Sequence, residues 1–132
     1  MLLFDNPAGQ VLADPAGFLC TRWAAGPRTL ADTQAIFSHI AQALAQRRWS
    51  KVLINQGSMQ SFSAAEQEWV AQQWLPQAVQ ESGYRYGAVV VSPDTYTRLA
   101  TAYITTNVQG LPLRYRSFDT EEAAEAWLRQ LT

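Results

Sequence analysis

Cysteine and histidine occur once each, as Cys20 and His39. One cysteine cannot close an internal disulfide, and it fits a reducing compartment. Nor do the two residues suffice for a Cys/His metal centre or a histidine-assisted nucleophile. Strong charge of either sign is also missing, since ten basic and eleven acidic residues leave a formal net charge of −1. That balance gives no electrostatic reason to expect nucleic acid or an anionic membrane. No apolar stretch approaches the length of a membrane span. The opening Met1-Leu2-Leu3-Phe4-Asp5-Asn6-Pro7 lacks the basic region and long apolar run of a secretory signal. Neither G-x-S-x-G nor a phosphate-loop pattern occurs. The expectation is a cytoplasmic protein that is not an enzyme, with no cofactor and with neither nucleic acid nor membrane as partner.

What is present is apolar and aromatic. Of 132 residues, 48% are apolar and 16% charged, a composition that folds rather than staying disordered. The length suits a single domain, residues 1–132, and no repeat, linker or low-complexity stretch divides it. Five tryptophans stand out, several near the expected ends of helices.

In chain order, Leu2–Asp5, Gln10–Asp14 and Phe18–Trp23 read as a β-meander, with Asn-Pro-Ala-Gly and Asp-Pro-Ala-Gly as its turns. Cys20 within it reads as a small buried group. A helix follows over Thr29–Arg48, its buried stripe at Leu30, Thr33, Phe37, Ile40 and Leu44, with His39 near the polar side. Lys51–Asn55 is a continuous apolar run, the mark of a central parallel strand. After a polar junction, Ser63 and Glu66 form a capping box for a helix over Ala64–Glu81. Pro76 inside that helix predicts a break near Gln72–Leu75, because proline lacks the N–H for the carbonyl four residues back. Arg85–Val91 reads as a strand. Ser92 is the expected cap of a third helix, running to about Thr106, which presents Tyr96, Leu99, Ala100, Tyr103 and Ile104. The tail Thr105-Thr106-Asn107 is expected to fray, with Gln109-Gly110 as the stop. Leu113–Phe118 alternates as a strand, with Leu113, Tyr115 and Ser117 on one side. Asp119 with Glu122 is the expected cap of a last helix, buried through Ala123, Ala124, Trp127, Leu128 and Leu131. A β-meander followed by βα units argues for an α/β fold with a mixed, mostly parallel sheet packed by about four helices.

This element order, ending in Phe118-Asp119-Thr120-Glu121-Glu122-Ala123-Ala124-Glu125-Ala126-Trp127-Leu128, resembles the STAS / SpoIIAA-like superfamily over the whole chain. The resemblance implies a sheet wound sequentially by βα turns. It also implies a module that acts by binding: relatives include anti-sigma-factor antagonists, cytoplasmic domains of anion transporters and sensory modules, and the lipid-carrying CRAL-TRIO domain looks related in fold. In the antagonists a phosphorylatable serine lies at the amino end of the helix after the central strand, in a D-S-[ST]-G-like setting. The nearest match here is Ser58, a candidate regulatory serine, although the aspartate is missing and Gly57 precedes it.

The candidate site is the pair of strand-end junctions: Asn55, Gln56, Ser58, Gln60 and Ser61 after one strand, Ser92 and Asp94 after the next. On one reading these polar groups and the free N–H donors of the following helix meet a protein partner or a small ligand. On the other they satisfy the local backbone and cap helices. Two alternatives stand beside this site. The first is an apolar small-ligand or lipid pocket under the broken helix, lined by residues such as Trp74, Val79, Tyr103 and Ile104. The second is a hydrolase-like serine/carboxylate centre. The surplus tryptophans Trp49, Trp69 and Trp74 add a homodimer as one outcome. Arg22-Trp23, Tyr84-Arg85-Tyr86 and Arg114-Tyr115-Arg116 read as outer strand positions that pair across the sheet.

Overall fold

The computed structural model describes residues 1–106 and 110–131. Six strands form one sheet in chain order: β1 (Leu2–Asn6), β2 (Gly9–Asp14), β3 (Phe18–Trp23), β4 (Lys51–Asn55), β5 (Tyr86–Val90) and β6 (Arg114–Phe118). The first two pairings are antiparallel and the remaining three parallel. Both meander turns follow their proline signals. Gly9 closes the first with its Cα packed on the β3 backbone, where a Cβ would lie 2.3 Å from the Arg22 carbonyl oxygen. No side chain larger than hydrogen fits there.

Helix α1 (Leu30–Arg47) begins at a capping box made by Thr29 and Asp32. Its buried face is Thr33, Ile36, Phe37, Ile40, Ala43 and Leu44. Leu30 is 40% exposed, because the first turn overhangs the sheet. His39 stacks on Phe4 of β1 at 3.8 Å between ring centroids, so it packs against an edge strand as well as meeting solvent. The next helical run is α2 (Ala64–Trp69), a π turn (Val70–Trp74) and α3 (Leu75–Glu81). The interruption falls where Pro76 predicts it: the Leu75 N–H reaches back five residues to the Val70 carbonyl. Pro76 then enters the first turn of α3, where its missing N–H is no loss.

Helix α4 (Thr95–Thr106) is capped by Asp94, whose Oδ2 accepts from the Thr97 N–H at 2.9 Å. Ser92 is not the cap as expected. It is buried, and its hydroxyl accepts from the Asp94 N–H instead, with Pro93 at a bend ahead of the helix. Asn107 and Gln109, named in the expected tail and stop, lie outside the described residues, while Thr105 and Thr106 are helical. Helix α5 (Glu121–Gln130) is capped by Thr120, one residue later than expected, with its hydroxyl accepting from the Ala123 N–H. Ala124 and Leu128 are fully buried, Trp127 and Leu131 partly so, and Ala123 faces solvent.

Strand alternation sends side chains to two cores. Val11, Leu19 and Val52 join α1, the α2–α3 run and α4 on one face, while Phe18, Cys20, Leu53 and Val90 join α5 on the other. Cys20 is buried, and that burial pushes its thiol up to about 11. At roughly 1.5–3 kcal/mol for each large apolar side chain removed from water, these two layers dominate the folding free energy. No helix among the described residues is long and apolar enough to cross a membrane.

Candidate functional site

The carboxyl ends of the parallel strands carry the junctions. Main-chain pairing draws them together at once, since the Gln56 N–H donates to the Val90 carbonyl at 3.0 Å. The loop from Asn55 to Phe62 is held from beneath and from both sides. Met59 and Phe62 are buried in the larger core and anchor it by apolar contact. Arg28 anchors it by charge: its guanidinium donates to the Gln60 carbonyl at 3.1 Å and the Ser61 carbonyl at 3.4 Å, and grips both carboxylate oxygens of Glu66 at 2.7 and 3.0 Å. The same group lies over the rings of Trp23 and Phe62, 5.5 and 5.4 Å from their centroids. A guanidinium can leave water at this cost because its donors meet two carboxylate oxygens and two carbonyls while its faces meet π systems.

Glu66 therefore does more than the capping box implies. Its Oε1 accepts from the Ser63 N–H, and its Oε2 accepts from the Thr33 hydroxyl and from Arg28. Burial pushes its carboxyl up, but hydrogen bonds from Arg28, Thr33 and the Ser63 backbone outweigh that and hold it below the usual carboxylate range. Nothing in the local sequence pattern around Arg28 announces this cluster, for its partners lie 5, 32, 33 and 38 residues away.

The residues read as site candidates are brought to one rim, yet most spend their polar atoms inside the chain. Asn55 donates from Nδ2 to Glu121 at 2.6 Å, and its Oδ1 accepts from the Gly57 N–H. Glu121 in turn accepts two bonds from Arg22 at 3.2 Å each. The Arg22 bonds hold the Glu121 carboxyl below its usual range against partial burial, with Asn55 adding to the effect. Gln56 is buried, and its Oε1 accepts from Thr101 of α4 at 3.0 Å. Ser61 donates to the Tyr96 carbonyl of α4 at 3.2 Å. Asp94 takes the Thr97 N–H and hydroxyl. Ser58 and Gln60 have exposed side chains. Among the described residues, the hydroxyls of Ser61 and Ser92 bond to backbone, and no group of three His, Cys, Asp or Glu side chains could hold a metal ion.

The bonds from Gln56 and Ser61 show what the loop does: it props α4. That helix packs on α2 and the π turn and buries Ala100 and Ile104 in the core it shares with the strands. Space is left beneath it. A narrow cavity of about 30 Å³ lies between α4 and the sheet, walled by Trp23, Phe37, Ile40, Phe62, Trp74 and Ile104 among others. It meets an open groove of about 640 Å³ lined by Gln56, Val91, Arg98, Thr101, Tyr115 and Ser117 among others. Gln56, Thr101 and Tyr115 border both spaces.

Two buried polar atoms on the cavity wall, Thr21 Oγ1 and Trp23 Nε1, have no hydrogen-bond partner among the described residues. Tyr84 and Tyr115 also border it, their hydroxyls 3.2 Å apart. Burial pushes the Tyr115 phenol up to about 12 and that of Tyr84 well above its ordinary value, so both stay protonated donors.

A pocket beneath this layer is among the sequence expectations, and the structure corrects its lining. Trp74 and Ile104 border the cavity. Val79 is buried elsewhere in the core, and Tyr103 is 46% exposed on the outside of α4. Tyr96 and Leu99, also read as one apolar face with Ala100 and Ile104, are 75% and 61% exposed. The missed wall residues had one usable signal, the strict alternation of Leu19, Thr21 and Trp23 on one side of β3.

A family model described as SpoIIAA-like matches residues 20–129, most of the chain. Among curated proteins, none matches it. The matched span runs from β3 to α5 and so holds the parallel strands, the propped helix and both junctions. The chain belongs to the SpoIIAA-like family, whose STAS-type α/β domain is consistent with a regulatory or binding module.

Proposed function

We propose that the protein is a non-enzymatic binding module whose ligand is a small, mostly apolar molecule carrying a hydrogen-bond acceptor, held in the cavity and groove beneath α4. The observation that carries this reading is the pair Thr21 Oγ1 and Trp23 Nε1, fully or nearly buried and without partners among the described residues, on a mostly apolar wall. A buried donor left unmade costs about 1–3 kcal/mol, and an acceptor seated between the two returns that cost as affinity. The cavity by itself has room for about two waters. The groove beside it, about 640 Å³, has the size of small-molecule sites. The ligand body lies in the groove and its acceptor reaches inward.

Apart from Gln56, which borders the cavity and the groove, the junction residues support this site from its rim. Asn55, Gln56, Ser61, Ser92 and Asp94 hold the loop and set the height of α4 over the sheet.

The test uses 1-anilinonaphthalene-8-sulfonate, an apolar fluorophore with an acceptor group. Wild-type protein is expected to bind it saturably at one site. Thr105→Trp, which fills the space shared by cavity and groove, is expected to abolish binding, while Ser58→Glu on the loop surface leaves it unchanged. Absence of saturable binding, or equal binding by the Thr105→Trp variant, sinks the assignment.

A further inference from the structure

Among the described residues, strand β6 is the last strand of the sheet and pairs only with β5. Its ladder can be read residue by residue. The Arg114 N–H donates to the Arg85 carbonyl at 2.9 Å, and the Phe118 carbonyl accepts from the Val91 N–H at 3.0 Å. In a β-strand, alternate residues turn both main-chain groups to the same neighbour, so Arg114, Arg116 and Phe118 face β5. Tyr115 and Ser117 therefore turn their N–H and C=O groups away from the sheet. The side chains of these same two residues line the groove beneath α4. Among the described residues, the edge thus offers four unpaired main-chain groups directly beside an open groove.

Its charge is one-sided. Arg98 overhangs the groove from α4, steadied by a 2.6 Å bond from its Nε to the Ser92 carbonyl. Arg114 and Arg116 are exposed on β6, Arg116 lying over the Phe118 ring at 5.4 Å. Among the described residues, none of these three arginines pairs with a carboxylate. In a chain of net charge −1 this is a local concentration of unpaired positive charge.

We infer that β6 is a docking edge for an extended acidic segment of a protein partner. The segment pairs its main chain with Tyr115 and Ser117, sends every second side chain into the groove below Arg98, and sets the alternate side chains, carboxylates, against Arg114 and Arg116 on the other face of the sheet. Strand addition of this kind draws affinity from main-chain bonds and specificity from alternate side chains. The edge arginines choose the occupant. Pairing β6 with β6 of a second copy in the antiparallel sense would set arginine near arginine, and like charges across a strand pair are destabilising. An acidic strand meets the reverse. The segment shares this groove with the small-ligand reading but not that reading's key donors, which lie on β3, with β4 and β5 between them and β6.

The experiment pans a random dodecapeptide phage library on the folded protein, then measures the best peptide by fluorescence anisotropy. Recovered sequences are expected to alternate Asp or Glu with small or apolar residues, and to bind more weakly as salt rises. Ser117→Pro removes one outward N–H and no ladder bond, and is expected to weaken binding about tenfold. Arg116→Glu is expected to weaken it similarly, and Arg47→Glu on α1 not at all. Circular dichroism melts check that each variant folds, and Arg98→Glu with Arg116→Glu decides the matter if Ser117→Pro does not fold. Recovery of no binders, recovery of basic or uncharged sequences, or full binding by the Arg116→Glu variant overturns the proposal. So does a concentration-dependent dimer that Ser117→Pro abolishes, which would give the edge to a second copy.

Discussion

Arg28 and Glu66 meet across 38 residues of chain with their side chains only 4% and 7% exposed, Nε to Oε2 at 2.7 Å. Taking both charges out of water is costly, so the pair makes a specific arrangement rather than a large net gain. Removing one partner is another matter. Arg28→Met is expected to destabilise the protein by about 3–5 kcal/mol, because it orphans the Glu66 carboxylate and two loop carbonyls. Arg28→Met with Glu66→Gln is expected to recover part of that loss. Urea unfolding of the two single variants and the double variant measures it. A single-variant cost under about 1 kcal/mol, the range of surface pairs, would mean that the cluster is solvated in solution.

The same carboxylate predicts an acid limb. The folded-state value of Glu66 lies below its ordinary 4.5, so the unfolded chain binds its proton first as pH falls. The stability it contributes is complete above about 4.5 and is lost as pH drops through the lower folded value. Glu121, held low by Arg22, adds in the same direction. Thermal melts between neutral and strongly acid pH should show a melting temperature that falls toward acid. The fall should be shallower in Glu66→Gln, whose stability is lower at neutral pH to begin with. Identical pH profiles in the two proteins would remove the assignment.

Thr21 makes an opposite forecast. Its hydroxyl is fully buried without a partner among the described residues, so Thr21→Val exchanges an unsatisfied polar atom for a methyl of equal shape. The apo protein is expected to gain about 1–2 kcal/mol. Binding of the anilinonaphthalene sulfonate should weaken in the same variant, since one donor to its acceptor is gone. Loss of stability in chemical denaturation would show that the hydroxyl is satisfied in solution.

Gly87 on β5 lies beneath two tyrosines. A Cβ there would come 2.3 Å from Tyr115 Cε1 and 2.5 Å from the Tyr84 hydroxyl oxygen. Tyr84 is fully buried and cannot step aside, so Gly87→Ala is expected to push Tyr115 outward and cost about 1–3 kcal/mol. Adding Tyr115→Ala should relieve the part of the clash that its ring makes, the Tyr84 contact remaining. Calorimetric melts of both variants decide it, and an unchanged melting temperature for Gly87→Ala would count against the ring placement.

Local patterns made much of the fold readable. The three meander strands, the apolar run of β4, the valine-rich β5 and the Pro76 interruption all came from neighbours within a few residues, where propensity and proline geometry act. The Ser63–Glu66 capping box was legible for the same reason. The caps at Asp94 and Thr120 were misplaced by one or two residues, because several polar side chains compete at each helix start and the backbone path chooses among them. Helical spacing alone also put Tyr96, Leu99 and Tyr103 on the same footing as Ala100 and Ile104. Which side of α4 meets the sheet depends on how the junction loop holds the helix, and spacing does not carry that.

The sequence by itself determined the α/β class, the element order and the likeness to SpoIIAA-like proteins, since periodicity, turn residues and capping boxes are short-range signals written in adjacent positions. Only the tertiary structure decided that Gln56 and Ser61 of the junction are hydrogen-bonded to α4. It also decided that Arg28 and Glu66 close the loop from distant segments, and that Thr21 and Trp23 reach the space beneath α4 with no partner among the described residues. Those outcomes depend on which remote side chains arrive within about 3 Å of one another, and on where two packed layers fail to meet.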